Sequence, residues 1–198
     1  GFVLRKTLIK PASAGLQVKS VPASTVFLDG KQVGQTPFED KKLSAGEITL
    51  RLAPESTTVS LSPWETKIKL VGGTQTIVNR EFGETEASSA GETMTLEKIA
   101  DKKSTSLSII SLPDSALIEI DGQSKGFTPL NLDKQDEGER EIAVSASGFT
   151  KRTIRVKLLA GYKLILNVKL AEEKQVEITP TISPTGSPTP TPKPGAKI

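Results

Sequence analysis

Histidine and cysteine are both absent from this chain. Imidazole bases, thiol nucleophiles, disulfides and the usual zinc and haem ligands are therefore unavailable. Carboxylates, lysines, hydroxyls, one Trp and one Tyr are what remains for chemistry. Asp29 and Asp121 are the first candidates, as metal ligands or catalytic carboxylates. Each is followed directly by glycine, and Asp-Gly is a preferred centre for a type I′ hairpin, so a turn role is expected for both. Asp133, Asp136, Glu137, Glu139 and Glu141 form an acidic cluster. It lacks the Asp-x-Asp-x-Asp-Gly spacing of a calcium loop and reads as a solvated loop. Lys41-Lys42 and Lys151-Arg152 read as solvated faces or as protection of strand edges. There is no phosphate-binding loop and no Ser-x-x-Lys, and the Gly-x-Ser-x-Gly string at Gly122–Gly126 falls in the repeated hairpin and not on the strand-to-helix turn of a nucleophile elbow. The expectation is a protein that is not an enzyme, with no catalytic residue, no metal site and no cofactor. Trp64 alone stays a candidate, as a partner-binding residue: an exposed ring on a β module can stack on a sugar or anchor a protein.

The elements that carry these residues follow from a repeat. Leu16–Pro22, Val26–Gly30, Gly34–Phe38 and Gly46-Glu47 recur as Leu107–Pro113, Ile118–Gly122, Gly126–Leu130 and Gly138-Glu139, with one residue inserted in the second copy. Apolar and polar residues alternate along Leu16–Ser20 and Val26–Leu28, the period of a half-buried strand. Asp-Gly then turns the chain, Gly34 and Gly126 sit where the returning strand should kink or bulge, and Thr36-Pro37 and Thr128-Pro129 end the ladder because proline cannot donate to it. Further strands are expected within 48–52, 74–82, 93–99, 142–146, 150–159 and 163–170. The first copy carries two additions, the loop 54–63 and an extra hairpin over 74–99. Trp64 aligns with Phe149 of the second copy, which sets core or interdomain packing beside the binding role. No amphipathic helix is evident, and aromatics make up only 4% of the residues, so the core rests on Val, Ile and Leu in thin sheets. The fold class expected is all-β.

Both copies spell Ser-x-Pro, Asp-Gly, Gly-x-Thr-Pro, a leucine and Gly-Glu: Ser20, Pro22, Asp29, Gly30, Gly34, Thr36, Pro37, Leu43, Gly46 and Glu47 in the first, and Ser111, Pro113, Asp121, Gly122, Gly126, Thr128, Pro129, Leu132, Gly138 and Glu139 in the second. This pattern closely resembles the PEGA domain, a bacterial and archaeal β module. The resemblance implies two tandem small antiparallel β-sandwich domains, similar to transthyretin-like modules. It also implies a cell-envelope setting and no recurrent catalytic residue.

The expected organisation is an N-terminal flank over 1–15, a first domain over 16–99, a linker over 100–106, a second domain over 107–171 and a Thr/Pro-rich tail over 172–198. The net charge is +3, and both domain segments are close to neutral, which is not a nucleic-acid footprint. The opening Gly1–Leu4 before Arg5-Lys6 reads as the stub of a removed hydrophobic anchor or as a loose terminus. Thr179–Pro194 favours extended polyproline II, which at ~3.1 Å per residue spans roughly 50 Å, and the residues after it resemble the start of a further domain. These readings lead to an extracytoplasmic chain, at the cell surface or in the periplasm, anchored to the membrane only through a segment outside it. Its expected role is a non-catalytic structural spacer that positions neighbouring domains. The alternative is a surface module that binds a cell-wall glycan or an envelope protein.

Overall fold

The computed structural model describes residues 12–174, and every regular element among them is a β-strand. Among the described residues no helix is long and apolar enough to cross a membrane. The first unit contains β1 (Ala14–Val21), β2 (Ser24–Leu28), β3 (Lys31–Gln35), β4 (Phe38–Leu43), β5 (Gly46–Pro54), β6 (Trp64–Leu70) and β7 (Gln75–Glu81). Then comes β8 (Ala90–Lys98). The second unit contains β9 (Thr105–Leu112), β10 (Leu117–Ile120), β11 (Gln123–Phe127), β12 (Leu130–Asp133), β13 (Gly138–Ser145), β14 (Arg152–Leu158) and β15 (Tyr162–Lys169). The expected anchor stub and the Thr/Pro tract lie outside the described residues.

The turn chemistry holds in both copies. Asp29 and Gly30 take φ of 48° and 80°, and Asp121 and Gly122 take 50° and 77°, the two consecutive positive φ values of a type I′ hairpin. A bulge follows at the expected glycines: Val26 faces Gly34 while Phe27 faces Gln32, and Ile118 faces Gly126 while Glu119 faces Ser124. The prolines do end the β2–β3 and β10–β11 ladders. The chain then crosses to another layer, where β4 pairs with β1 and β12 pairs with β9.

Two four-stranded sheets, in the orders β3-β2-β5-β6 and β11-β10-β13-β14, flank a seven-stranded sheet of order β12-β9-β15-β8-β7-β1-β4. The latter is mixed, because β1 pairs parallel with β7 and β9 parallel with β15. Each of these pairs is separated in sequence by a whole excursion through the flanking sheet, and such a crossover returns the chain parallel to where it left. β7 and β15 thus hold the same place in the two units. Of the hairpin 74–99, only β8 is additional. It pairs with β7 on one side and β15 on the other. The segment 100–106, expected as a linker, holds the turn after β8 and the start of β9, and β15 lies between those two strands.

Strand register decides which face each flanking sheet covers. Met94 of β8 lies opposite Ile77 and Leu166, and Met94 and Leu166 belong to the core shared with Ile118, Ile142 and Val144 of the second unit. Val78, one residue along, belongs to the core with Leu16, Val18, Val26, Leu50 and Leu52 of the first. Neighbouring residues on a strand point to opposite faces, so the two flanking sheets cover opposite faces of one continuous sheet.

The motif hydroxyls tie the layers together. Thr36 Oγ1 accepts from the Ser24 N–H at 2.9 Å and lies 2.7 Å from Ser20 Oγ. Thr128 Oγ1 accepts from the Ala116 N–H at 3.0 Å and lies 2.6 Å from Ser111 Oγ. Both threonines are buried. Thr36→Val or Thr128→Val leaves a buried N–H without an acceptor and is expected to cost about 1–2 kcal/mol each. Urea unfolding should show this as a lower midpoint at unchanged slope, and no shift in either variant would refute the hydroxyl's role.

Candidate functional site beside the shared strand

The offset of the two flanking sheets leaves part of each face of the central sheet uncovered. On one face an open groove of about 470 Å³ runs beside edge strand β6. Trp64 and Ile68 stand on its wall, and Thr95, Ile165, Ile110 and Leu112 lie on its floor. Ile110 and Leu112 are 48% and 61% exposed, a notable share for branched apolar side chains on a sheet. A counterpart of about 370 Å³ lies between β14 and β7 and includes Gln75, Ile77 and Val156.

Trp64 lies opposite Leu52 in the β5–β6 ladder, and Arg152 lies opposite Val144 in the β13–β14 ladder. Leu52 and Val144 are equivalent, since each faces the matching β2 or β10 residue, Val26 or Ile118. Trp64 therefore stands where the second unit has Arg152. Phe149, the partner expected from sequence, belongs to the loop before β14, where it bridges to Glu172. The misalignment comes from the added loop 54–63, which shifts the count without shifting the ladder.

Trp64 is half-buried against the first core, and the Arg80 guanidinium sits 4.8 Å from its ring centroid. The same guanidinium is 5.4 Å from the Phe82 centroid, so Arg80 occupies the cation–π position for both rings. Its side chain is only 2% exposed, and Nη2 reaches Glu86 Oε2 at 2.5 Å. Burial lowers its pKa, while the charge and hydrogen bond of Glu86 oppose that shift. Its Nε–H has no acceptor. Gly91 lies opposite Arg80 across the β7–β8 ladder. A Cβ there would approach the Asn79 carbonyl oxygen to 2.4 Å and Arg80 Cδ to 3.4 Å. Glycine is what the crossing can hold. Lys169 Nζ donates to the carbonyls of Glu86 and Ser89 at 2.6 and 2.8 Å, and burial lowers its pKa, with Glu86 opposing.

On the opposite face Glu92 is buried. It accepts from Asn79 Nδ2 at 2.5 Å and from Arg152 Nε. Arg152 also donates from Nη1 to Glu81 Oε1 at 2.9 Å. Burial works against the Arg152 charge, but Glu92 and Glu81 outweigh it and its pKa is raised. The solvated role expected for Lys151-Arg152 fits Lys151, which pairs with Glu119 near the surface. It does not fit Arg152, whose side chain is 16% exposed and joins the second unit to strands β7 and β8.

The other sequence candidates are placed as follows. Asp29 Oδ1 accepts from the Thr49 N–H at 2.8 Å and Asp121 Oδ1 from the Glu141 N–H at 2.9 Å, so each pins its hairpin turn to the adjacent strand. Within the acidic segment, Arg140 donates to the carbonyls of Asp136 and Glu139 at 3.0 and 2.8 Å. Among the described residues no group of three or more His, Cys, Asp or Glu is placed to hold a metal ion. Lys41 pairs with Glu39 on an exposed strand. What the sequence reading missed is the pair of buried arginine networks. Arg80 left one signal: it is a charged residue at an inward position of the register Thr76, Val78, Phe82.

The charged side chains of the site are largely paired with one another. Its cations are held by carboxylates and carbonyls, and its carboxylates by cations and backbone N–H groups. The family model described as the PEGA domain matches the chain twice, over residues 13–86 and 104–174. Strand β8 falls between the two matches. Comparison with curated proteins gives no match, and comparison with solved structures gives none.

Proposed function

The chain belongs to the PEGA domain family, and from that premise we propose that it is a non-catalytic spacer of the cell envelope that fixes the separation and orientation of neighbouring domains. The observation that carries this reading is the central sheet. Two modules that could have been joined by a swivel are joined by β8, which is hydrogen-bonded to both, so their relative orientation is set by a β-ladder. PEGA domains are extracellular-type β modules, which supports the envelope setting. The motif residues serve as turns and interlayer hydrogen bonds, which supports the absence of catalysis.

A spacer must be stiff. Nitroxide labels at Lys31→Cys and Lys125→Cys, one on each flanking sheet, should give a single narrow distance distribution by pulsed electron resonance. The chain has no native cysteine to interfere. A broad or bimodal distribution would sink the spacer reading. Recovery of the native protein from the soluble cytoplasmic fraction would sink the envelope setting.

The second reading, a binding module, is favoured in its protein form by the groove beside β6, which joins an edge strand to exposed Ile110 and Leu112. Its glycan form loses support because Arg80 covers one face of Trp64. Peptidoglycan binding that Trp64→Ala abolishes would restore that form.

A further inference from the structure

We infer that the chain carries tension along its length, with its central sheet loaded in shear; the inference rests on the spacer reading above and adds to it. The argument is one of strand direction. β1 runs parallel to β7, β7 antiparallel to β8, and β8 antiparallel to β15. β1 and β15 therefore point the same way. Ala12 precedes the start of β1, beside Gly72 and Gly73 of the β6–β7 turn. Lys174 follows the far end of β15, where Glu172 and Glu173 donate to the carbonyls of Ala87 and Gly148. The chain enters the sheet at one end of the strands and leaves it at the other.

The dimensions make the geometry decisive. Eight residues of strand at ~3.3 Å rise separate entry and exit by about 25 Å along the strands, against about 14 Å across three strand spacings of ~4.8 Å. Accumulated twist of roughly 20–25° per strand tilts β1 and β15 away from one another, but each is still pulled by the end that slides it lengthwise past its neighbours. Sliding breaks the β1–β7 ladder, with its seven register pairs, as a set. The same holds for the eight pairs of β8–β15. A pull across the strands would instead open a ladder one bond at a time. Side-chain pairs add cross-ties in the loaded region: the largely buried Arg152 to Glu92 and on to Glu81, and the exposed pair Lys69 and Glu97 at 2.8 Å. β15 is held on both sides, by β8 and β9. Neither unit can yield at a soft joint, because the joint is a strand at the centre of the sheet.

The test compares two pulling directions on one protein. Handles are attached through Ala12→Cys with Lys174→Cys, or through Ala12→Cys with Lys102→Cys, all three sites being exposed. Lys102 lies just after β8, and a Cβ placed on Gly73 would stand 3.9 Å from Nζ of Lys98 at the end of that strand. The second pair of handles therefore leaves the same end of the sheet and peels β1, β7 and β8 apart. Forced unfolding reports the unfolding rate along the pulling direction. At equal pulling speed the 12–174 pair should rupture in one event, at a force at least about twofold above the 12–102 pair, since the first breaks ladder bonds together and the second in succession. Equal forces, a weaker 12–174 rupture, or two separate weak events along 12–174 would overturn the inference. Equal forces with a narrow label distance would remove the tension role and leave the spacer reading standing. A broad label distance would remove the spacer reading whatever the forces.

Discussion

Arg152→Ala is expected to destabilise the chain by about 3 kcal/mol, the low end of the range for breaking a buried ion pair by removing one partner. The low end applies because the Arg152 side chain keeps 16% exposure while Glu92 keeps only 6%. The loss arises mainly on the side left behind. Glu92 would retain only its Asn79 hydrogen bond, and Glu81 would lose its Arg152 partner as well. The double variant Arg152→Leu with Glu92→Leu separates this penalty from any net benefit of the pair. Replacing both partners with apolar side chains is often neutral or stabilising, so the double variant should recover most of the loss. Urea unfolding of Arg152→Leu, Glu92→Leu and the double variant gives the coupling directly. If Arg152→Ala costs under about 1 kcal/mol, the pair behaves as a surface salt bridge and the network does not hold the units together.

Thr93→Pro is expected to have the larger qualitative effect. Thr93 faces Val78 of β7 and Asn167 of β15, so it occupies the interior of a strand paired on both sides. Proline there removes a ladder N–H and clashes with the sheet, at a cost of about 3 kcal/mol or more by analogy with interior helix positions. The intact chain should unfold in one cooperative calorimetric transition, because the two cores share β8. The variant should unfold in two, since each unit keeps its own flanking sheet and its own buried cluster while the ladder between them is broken. Two transitions in the unaltered chain, or a single unshifted one in the variant, would show that β8 does not couple the units.

The hairpins were legible because their determinants are local. Asp29-Gly30 and Asp121-Gly122 specify a turn whatever lies elsewhere, and the bulges at Gly34 and Gly126 fall where a residue without Cβ is useful. The repeat, and with it the family, could be read from the same residues. Pairing partners were not legible in this way. The alternation of Leu16–Ser20 states that β1 has a buried face and an open one, but not that β7 lies parallel beside it. β4 and β12 were missed as strands because their apolar residues are few: Phe38 and Leu43 in one, Leu130 and Leu132 in the other. β8 was read as a strand in a hairpin with β7, and its second pairing, with β15, was not, because Met94 and Leu96 alternate identically whether one ladder or two surround them. The site suffered most. Arg80 and Arg152 look like any basic residues until the register shows that one lies under Trp64 and the other beside Glu92.

The position of β15 has a consequence for how the protein is made. It is the last strand of the second unit, yet it lies between β8 and β9 and supplies the contacts that join them. A chain emerging from the ribosome can complete the first flanking sheet early, and the second soon after. Until residues 162–169 arrive, β8 and β9 each present an unpaired edge, the kind of surface that recruits strands from other chains. The two halves cannot finish folding in turn, as beads on a string would. The first waits on the closing segment of the second, and a message truncated before that segment yields two sticky edges instead of one shorter rod.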